Sequence, residues 1–135
     1  MTQFGGDIGL EPEDIMKLEP EIAYITENCN IEAIALVTET GYQIAYAALP
    51  TYQVDSDALS GIASALMMTG KMSMNSMFNE PLSETIIRAD NGYVVVTNAG
   101  RFVLVGAGRD IKNLMNTIKI FRIAAKRVEI NFPPQ

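Results

Sequence analysis

Apolar positions change their period several times along this chain, and each change marks an element. Ile15, Leu18, Ile22 and Ile25 recur at helical spacing behind Glu11-Pro12-Glu13-Asp14. A proline near the first turn, with acids against the positive end of the helix dipole, makes a good helix start. The pattern predicts a helix up to about Asn28. Pro20 falls inside it, where a missing donor and a crowded preceding turn predict a kink or a split into a short and a longer helix. Ile31 to Thr38 is short, apolar and β-branched, Glu39-Thr40-Gly41 can turn, and Gln43 to Leu49 runs on apolar and aromatic. These segments predict a hairpin closed by Pro50.

Asp55 or Ser56 can cap the next helix, which covers about residues 55 to 78. Leu82 to Ala89 is strand-like, Asp90-Asn91-Gly92 carries the Asn-Gly signal of a tight hairpin, and Tyr93 to Thr97 is strongly β. Asn98-Ala99-Gly100 turns into Phe102 to Val105, completing a three-strand antiparallel meander. Gly106-Ala107-Gly108 is expected to break that strand and Asp110 to cap a last helix. Ile111, Leu114, Met115, Ile118, Phe121, Ala125 and Val128 give this helix a continuous buried stripe. The order is helix, two strands, helix, three strands, helix. One domain over 11–130 is expected, with loose tails over 1–10 and 131–135.

The middle helix is apolar on more sides than a sheet can cover. At about 100° per residue, Leu59, Ile62, Ala63, Leu66, Gly70, Met74 and Met77 share one face. Gly61, Ala65, Met68 and Met72 lie roughly opposite with Ala58 beside them, and only Ser64, Lys71 and Asn75 dilute that half. Small residues permit close approach of a second helix, and methionine fits irregular surfaces. Apolar surface of this kind usually has a partner, here expected to be a second copy of the chain. The competing readings are a helix buried on both faces within its own domain, and methionines that fill the core, as Met74 and Met77 are expected to do.

Composition narrows the function classes. A chain of 135 residues matches one domain. With 48% hydrophobic and 19% charged residues it is too apolar for disorder, yet no run approaches the roughly 18 apolar residues of a membrane span. Met1-Thr2-Gln3-Phe4-Gly5-Gly6-Asp7 lacks the basic and apolar regions of a secretory signal, so a cytoplasmic location is expected. One cysteine and no histidine remove a disulfide framework and the usual zinc, haem and non-haem iron ligand sets, and no cofactor is expected. A net charge of −6 opposes phosphate-backbone binding, so nucleic acid is not expected as a partner. Acids crowd Asp7 to Glu27, while Lys112, Lys119, Arg122, Lys126 and Arg127 crowd the last helix. Ordinary solvated faces account for this, and a charged docking surface is the sharper alternative.

Catalytic signals are thin. Gly106-Ala107-Gly108-Arg109 before a helix has the flavour of an anion-binding loop, but it follows a meander instead of opening a βαβ unit, and a turn needing small residues explains it. Cys29 has no histidine to activate it and reads as an inert thiol near the end of the first helix. Asp55 and Asp57 sit where capping explains them. Arg88, Arg101 and Arg109 are read as surface or cross-strand residues, with an arginine finger toward a partner's nucleotide as the sharper alternative.

The element order, the strand Ile31-Glu32-Ala33-Ile34-Ala35-Leu36-Val37-Thr38, the Gly41 turn and Gly106-Ala107-Gly108-Arg109-Asp110-Ile111 before the last helix together resemble the Roadblock/dynein light chain (Roadblock/LC7) family over about residues 11 to 130. The resemblance implies an α/β fold of the α+β sandwich kind, Roadblock/longin/profilin-like. In it a five-stranded antiparallel sheet (α-ββ-α-βββ-α) carries the first and last helices on one face and the middle helix on the other. It also implies dimers in which middle helices pack together and the third strands, here about Leu82 to Ala89, join edge to edge. Ala58, Gly61, Ala65, Met68, Met72, Glu84, Ile86 and Arg88 would then form the interface. Family members are non-enzymatic platforms: some scaffold small Ras-like GTPases or assist their GTP hydrolysis, and others are dynein-associated adaptors. The expected function is therefore a homodimeric scaffold, or a higher oligomer, that binds and regulates a small GTPase. A light-chain adaptor indifferent to nucleotide and a small-ligand sensor are the alternatives. Two partner surfaces stay open: the middle-helix pair with Lys71 and Asn75, and the outer-helix face with Lys119, Ile120, Ile123 and Arg127.

Overall fold

The computed structural model describes residues 3–4, 10–52 and 55–135. Most of the expected 1–10 tail lies outside the described residues, but Gln3–Phe4 forms a short strand, β1. Helix α1 spans Pro12–Asn28, β2 Ala33–Thr38, β3 Gln43–Ala48, α2 Ser56–Phe78, β4 Glu84–Ala89, β5 Gly92–Ala99, β6 Phe102–Gly108 and α3 Leu114–Asn131. From α1 onward this is the expected α-ββ-α-βββ-α order. Strand β1 pairs with Tyr46 and Ala45 of β3, and the sheet is antiparallel throughout, in the order β1-β3-β2-β6-β5-β4.

Side-chain alternation sorts the sheet into two cores. On one face Ile34, Leu36, Ile44, Val95 and Leu104 pack with Leu18, Ile22 and Ile25 of α1 and Ile118, Phe121 and Val128 of α3. On the other, Ala33, Ala35, Val37, Val96, Val103 and Val105 pack with Leu59, Ala63 and Met67 of α2. Central strands covered on both faces read as unbroken apolar runs, which is the pattern of β2 and β6.

Four sequence expectations are corrected. Helix α1 runs through Pro20 without splitting. Pro20 and Met16, the residue whose carbonyl it leaves without a donor, are on the exposed side, while Leu18, Ile22 and Ile25 grip the sheet across the proline. The second concerns Gly106-Ala107-Gly108, which does not break the strand: β6 continues through Gly108. Those glycines serve close approach, since a Cβ on Gly106 would collide with the Phe121 ring and Ile31, and one on Gly108 with the Tyr93 ring. As a result α3 starts later, at Leu114 behind Asn113, and Asp110 instead accepts a hydrogen bond from Asn113 Nδ2 at 2.8 Å. The third is the inward stripe of α3, which omits Met115, an exposed residue.

The fourth correction is at the C-terminus, where Phe132 is anchored. Its ring is buried 5.4 Å from that of Phe102, and its carbonyl accepts from Arg101 N at 3.1 Å beside Gly100, whose φ of +66° suits glycine.

Candidate functional site

Helix α2 is built to lie close on the sheet and still present a second face. Asp55 caps it by accepting from Asp57 N at 3.2 Å, and Asn79 ends it in the left-handed conformation, its N–H donating back to the last turn. Small residues on the sheet, Ala33, Ala35 and Ala107, let Leu59, Ser60, Ala63 and Met67 turn inward. Leu66, Gly70 and Met74 are half-buried beside them. This stripe differs from the expected one: Ile62 and Met77 are exposed, and Met67, which sequence reasoning passed over, is buried. A change of about 45° in helix rotation is enough to exchange Ile62 for Met67, and it is set by where small sheet residues permit contact rather than by the helix's own pattern, whereas Met77 shares the side of Leu59 and is exposed in the last turn of α2.

The outward half carries every residue expected there. Ala58, Gly61, Ala65, Met68 and Met72 are all exposed, Met68 and Met72 by about two-thirds. Ile62 extends the same apolar surface, and Met77 and Phe78 are exposed in the last turn of α2. Lys71 is tied to Glu39 at 3.1 Å, and Ser64 Oγ donates to the Glu39 carbonyl at 2.8 Å. Both bonds fix α2 against the β2–β3 turn. Asn75 is exposed on the last turns.

Beside α2 runs β4, the edge strand of the sheet, paired among the described residues with β5 alone. Thr85 faces α2, close to Gly70, so Ile87, two residues on, shares that side. Glu84 faces the other way, to Arg122 of α3: its side chain is 8% exposed and both carboxylate oxygens accept from the guanidinium. Ile86 and Arg88 follow Glu84 on that side and are exposed. The edge therefore offers backbone groups together with Ile86 and Ile87, and Ile87 was missed because period-two alternation cannot say which face meets which helix.

The outer-helix candidates separate. Ile120 is half-buried against the α1–α3 core, Arg127 pairs with Glu21 at 3.5 Å and lies over the Tyr24 ring at 4.7 Å, and Lys119 and Ile123 are exposed. Two other arginines also have neighbours: Arg109 donates to the Asn91 carbonyl at 3.2 Å, and Arg101 to the Pro133 carbonyl at 3.4 Å.

A concavity of about 610 Å³ opens at one end of the sheet, lined by Glu32, Thr51, Tyr52, Tyr93, Gly108 and Arg109. Burial raises the Tyr93 and Tyr52 phenols above their ordinary value. Cys29, at the end of α1, is half-buried, and burial likewise raises its thiol, with Thr117 partly offsetting the effect. A raised thiol is a poor nucleophile near neutral pH. Among the described residues no helix is long and apolar enough to cross a membrane, and no three His, Cys, Asp or Glu residues cluster to hold a metal.

Comparison with known proteins bears on this arrangement. Myxococcus xanthus MglB superposes with a TM-score of 0.79 at 17% identity, covering 92% of each chain. The gliding protein MglB from Thermus thermophilus gives 0.77 at 12% identity, over 92% of this chain and 94% of that one. An MglB with tetrameric arrangement gives 0.76 at 12% identity, over 92% and 93%. At such identities the likeness is one of fold. No curated protein matches the sequence significantly. The Roadblock/LC7 domain model matches residues 25–107, from the last turn of α1 through β6. That match covers more than half of the chain, and with the same order of helices and strands in place the chain belongs to the Roadblock/LC7 family.

Proposed function

We propose that this protein is a homodimeric platform that binds and regulates a small Ras-like GTPase without a catalytic centre of its own. The observation that carries the self-association is the exposed apolar face of α2 lying beside the unpaired edge of β4. Met68, Met72, Ile62 and Ile87 form a surface of the kind that monomers rarely leave to water, and Ile86 lies on the other side of the same strand edge. Gly61 and Ala65 permit close helix approach, and an open strand edge is an aggregation hazard unless paired. Antiparallel packing of two α2 helices with β4 joined to β4 answers both, because a two-fold interface closes on itself. The tetrameric arrangement described for an MglB concerns that protein, and supports looking for self-association in this one. The GTPase rests on family membership, whose members include such platforms.

Light scattering at micromolar concentration tests the dimer, and a monomer there would sink it. Pull-down against small GTPases from the same cell, loaded with GDP or with a non-hydrolysable GTP analogue, tests the partner. Capture that differs between nucleotides supports regulation; capture indifferent to nucleotide points to an adaptor instead.

A further inference from the structure

Helix α3 has a second stripe besides the one facing the sheet. Met115, Lys119, Ile123, Lys126 and Ile130 lie within one narrow sector at helical spacing and extend about 22 Å along the axis. All five are exposed, Met115 and Ile130 by more than two-thirds. Along this sector apolar and cationic side chains alternate. The other bases of the helix are engaged, Arg122 by Glu84 and Arg127 by Glu21. Lys119 has no ion pair among the described residues, and Lys126 reaches only Glu129 on its own helix, at 4.0 Å. An exposed pair of that kind leaves the cation available.

We infer that this stripe docks an acidic amphipathic helix of a partner protein, one that sets two carboxylates two turns apart against Lys119 and Lys126 with aliphatic side chains between them over Ile123. The spacing of the lysines, seven residues, is two helical turns, so a partner helix lying nearly parallel meets both with its own i and i+7 positions. A flat anionic membrane fits less well. The chain carries −6, and α1, packed beside α3, exposes Glu13, Glu19 and Glu27, which such a surface would also meet. A helix is about 10 Å across and can follow the stripe alone. The chain's own helices are poor occupants. The exposed side of α1 has Met16 as its one large apolar residue and includes Lys17, and α2 has no acid after Asp57. The inference deepens the binding role proposed above, and rests on it in taking the α2 face as the contact between copies.

The test uses the full chain and a fluorescent synthetic helical peptide of about five turns, with leucines along one face and glutamates two turns apart beside them. Its control has lysines in place of the glutamates. Anisotropy is expected to show saturable binding of the acidic peptide only, weakened about tenfold or more by Lys119→Glu with Lys126→Glu. Lys119→Gln with Lys126→Gln, whose fold circular dichroism checks, is expected to weaken it less. No binding, or equal binding by the charge-reversed variant, overturns the inference. So does lysine-dependent sedimentation with phosphatidylserine vesicles in the absence of peptide binding, or lysine-dependent growth beyond a dimer in light scattering. If the wild-type chain is monomeric and the acidic peptide still binds through the lysines, the dimer reading falls and this one stands.

Discussion

Gly70 of α2 faces Thr85 of β4 so closely that a Cβ on the glycine would stand 2.5 Å from Thr85 Oγ1 and 2.8 Å from Leu82 Cδ2. The helix thus rests directly on the edge strand, on the side of β4 that also carries Ile87. Alanine within a helix is worth about 1 kcal/mol more than glycine. Here the clash opposes that gain, and Gly70→Val adds β-branching to it. Gly70→Ala is expected to be neutral to destabilising by about 1 kcal/mol, and Gly70→Val to cost about 1 to 3 kcal/mol. Urea unfolding measures both, and stabilisation of about 1 kcal/mol by alanine would show that the approach is not tight.

Met68→Asp and Ala65→Asp alter exposed positions, so each protomer is expected to stay folded. A charge buried unpaired between two α2 helices is costly, and each change is expected to convert a dimer into a monomer. Light scattering reads the mass and far-ultraviolet circular dichroism the fold. Ile87→Lys, on the same side of β4 as Thr85, is expected to raise the dissociation constant about tenfold or more. A dimer indifferent to all three would place the interface elsewhere.

Phe132 anchors the C-terminus against Phe102 and the β5–β6 turn. Phe132→Ala is expected to destabilise by about 3 to 5 kcal/mol, or somewhat less if the site collapses. Deleting Pro133 to Gln135, all exposed, is expected to cost far less. Thermal unfolding separates the two, and similar losses would deny the ring its role.

The alkaline limb of stability has a definite sign. Burial raises Cys29 above its ordinary 9.0 and Tyr93 above its ordinary 10.0, so the unfolded chain releases these protons first. Stability is expected to be flat below about pH 9 and to fall above it, because the native state retains protons that the unfolded state has lost. Cys29→Ala removes the first of these groups and is expected to delay the fall toward about pH 10. Circular dichroism in urea from about pH 7 to 11 tests this, and so does a slow reaction of Cys29 with a disulfide reagent at about pH 8. Stability that rises over that range would contradict the assignment.

The elements were legible because their signals are local. Spacing in α1 and α3, the Gly41 turn, the tight hairpin at Asp90-Asn91 and the Asp55 cap each depend on neighbours in sequence, although Gly92 opens β5 without the positive φ that an Asn-Gly turn would use. The outward patch of α2 was legible for the same reason, since Ala58, Gly61, Ala65, Met68 and Met72 lie on one side of any helix they form. Where the reading failed, a distant residue decided. Gly106 and Gly108 look like a strand break until Phe121 and Tyr93 occupy the space their absent side chains leave.

The sequence alone determined that α2 has more apolar surface than one sheet can cover, because helical period and composition suffice for that. Only the tertiary structure decided which residues share the excess. Small sheet residues and the Gly70–Thr85 approach rotated Met67 inward and Ile62 outward, and the strand order put β4 at an edge with Ile87 beside the helix. Periodicity defines faces relative to one another; what each face meets depends on contacts between residues far apart in the chain.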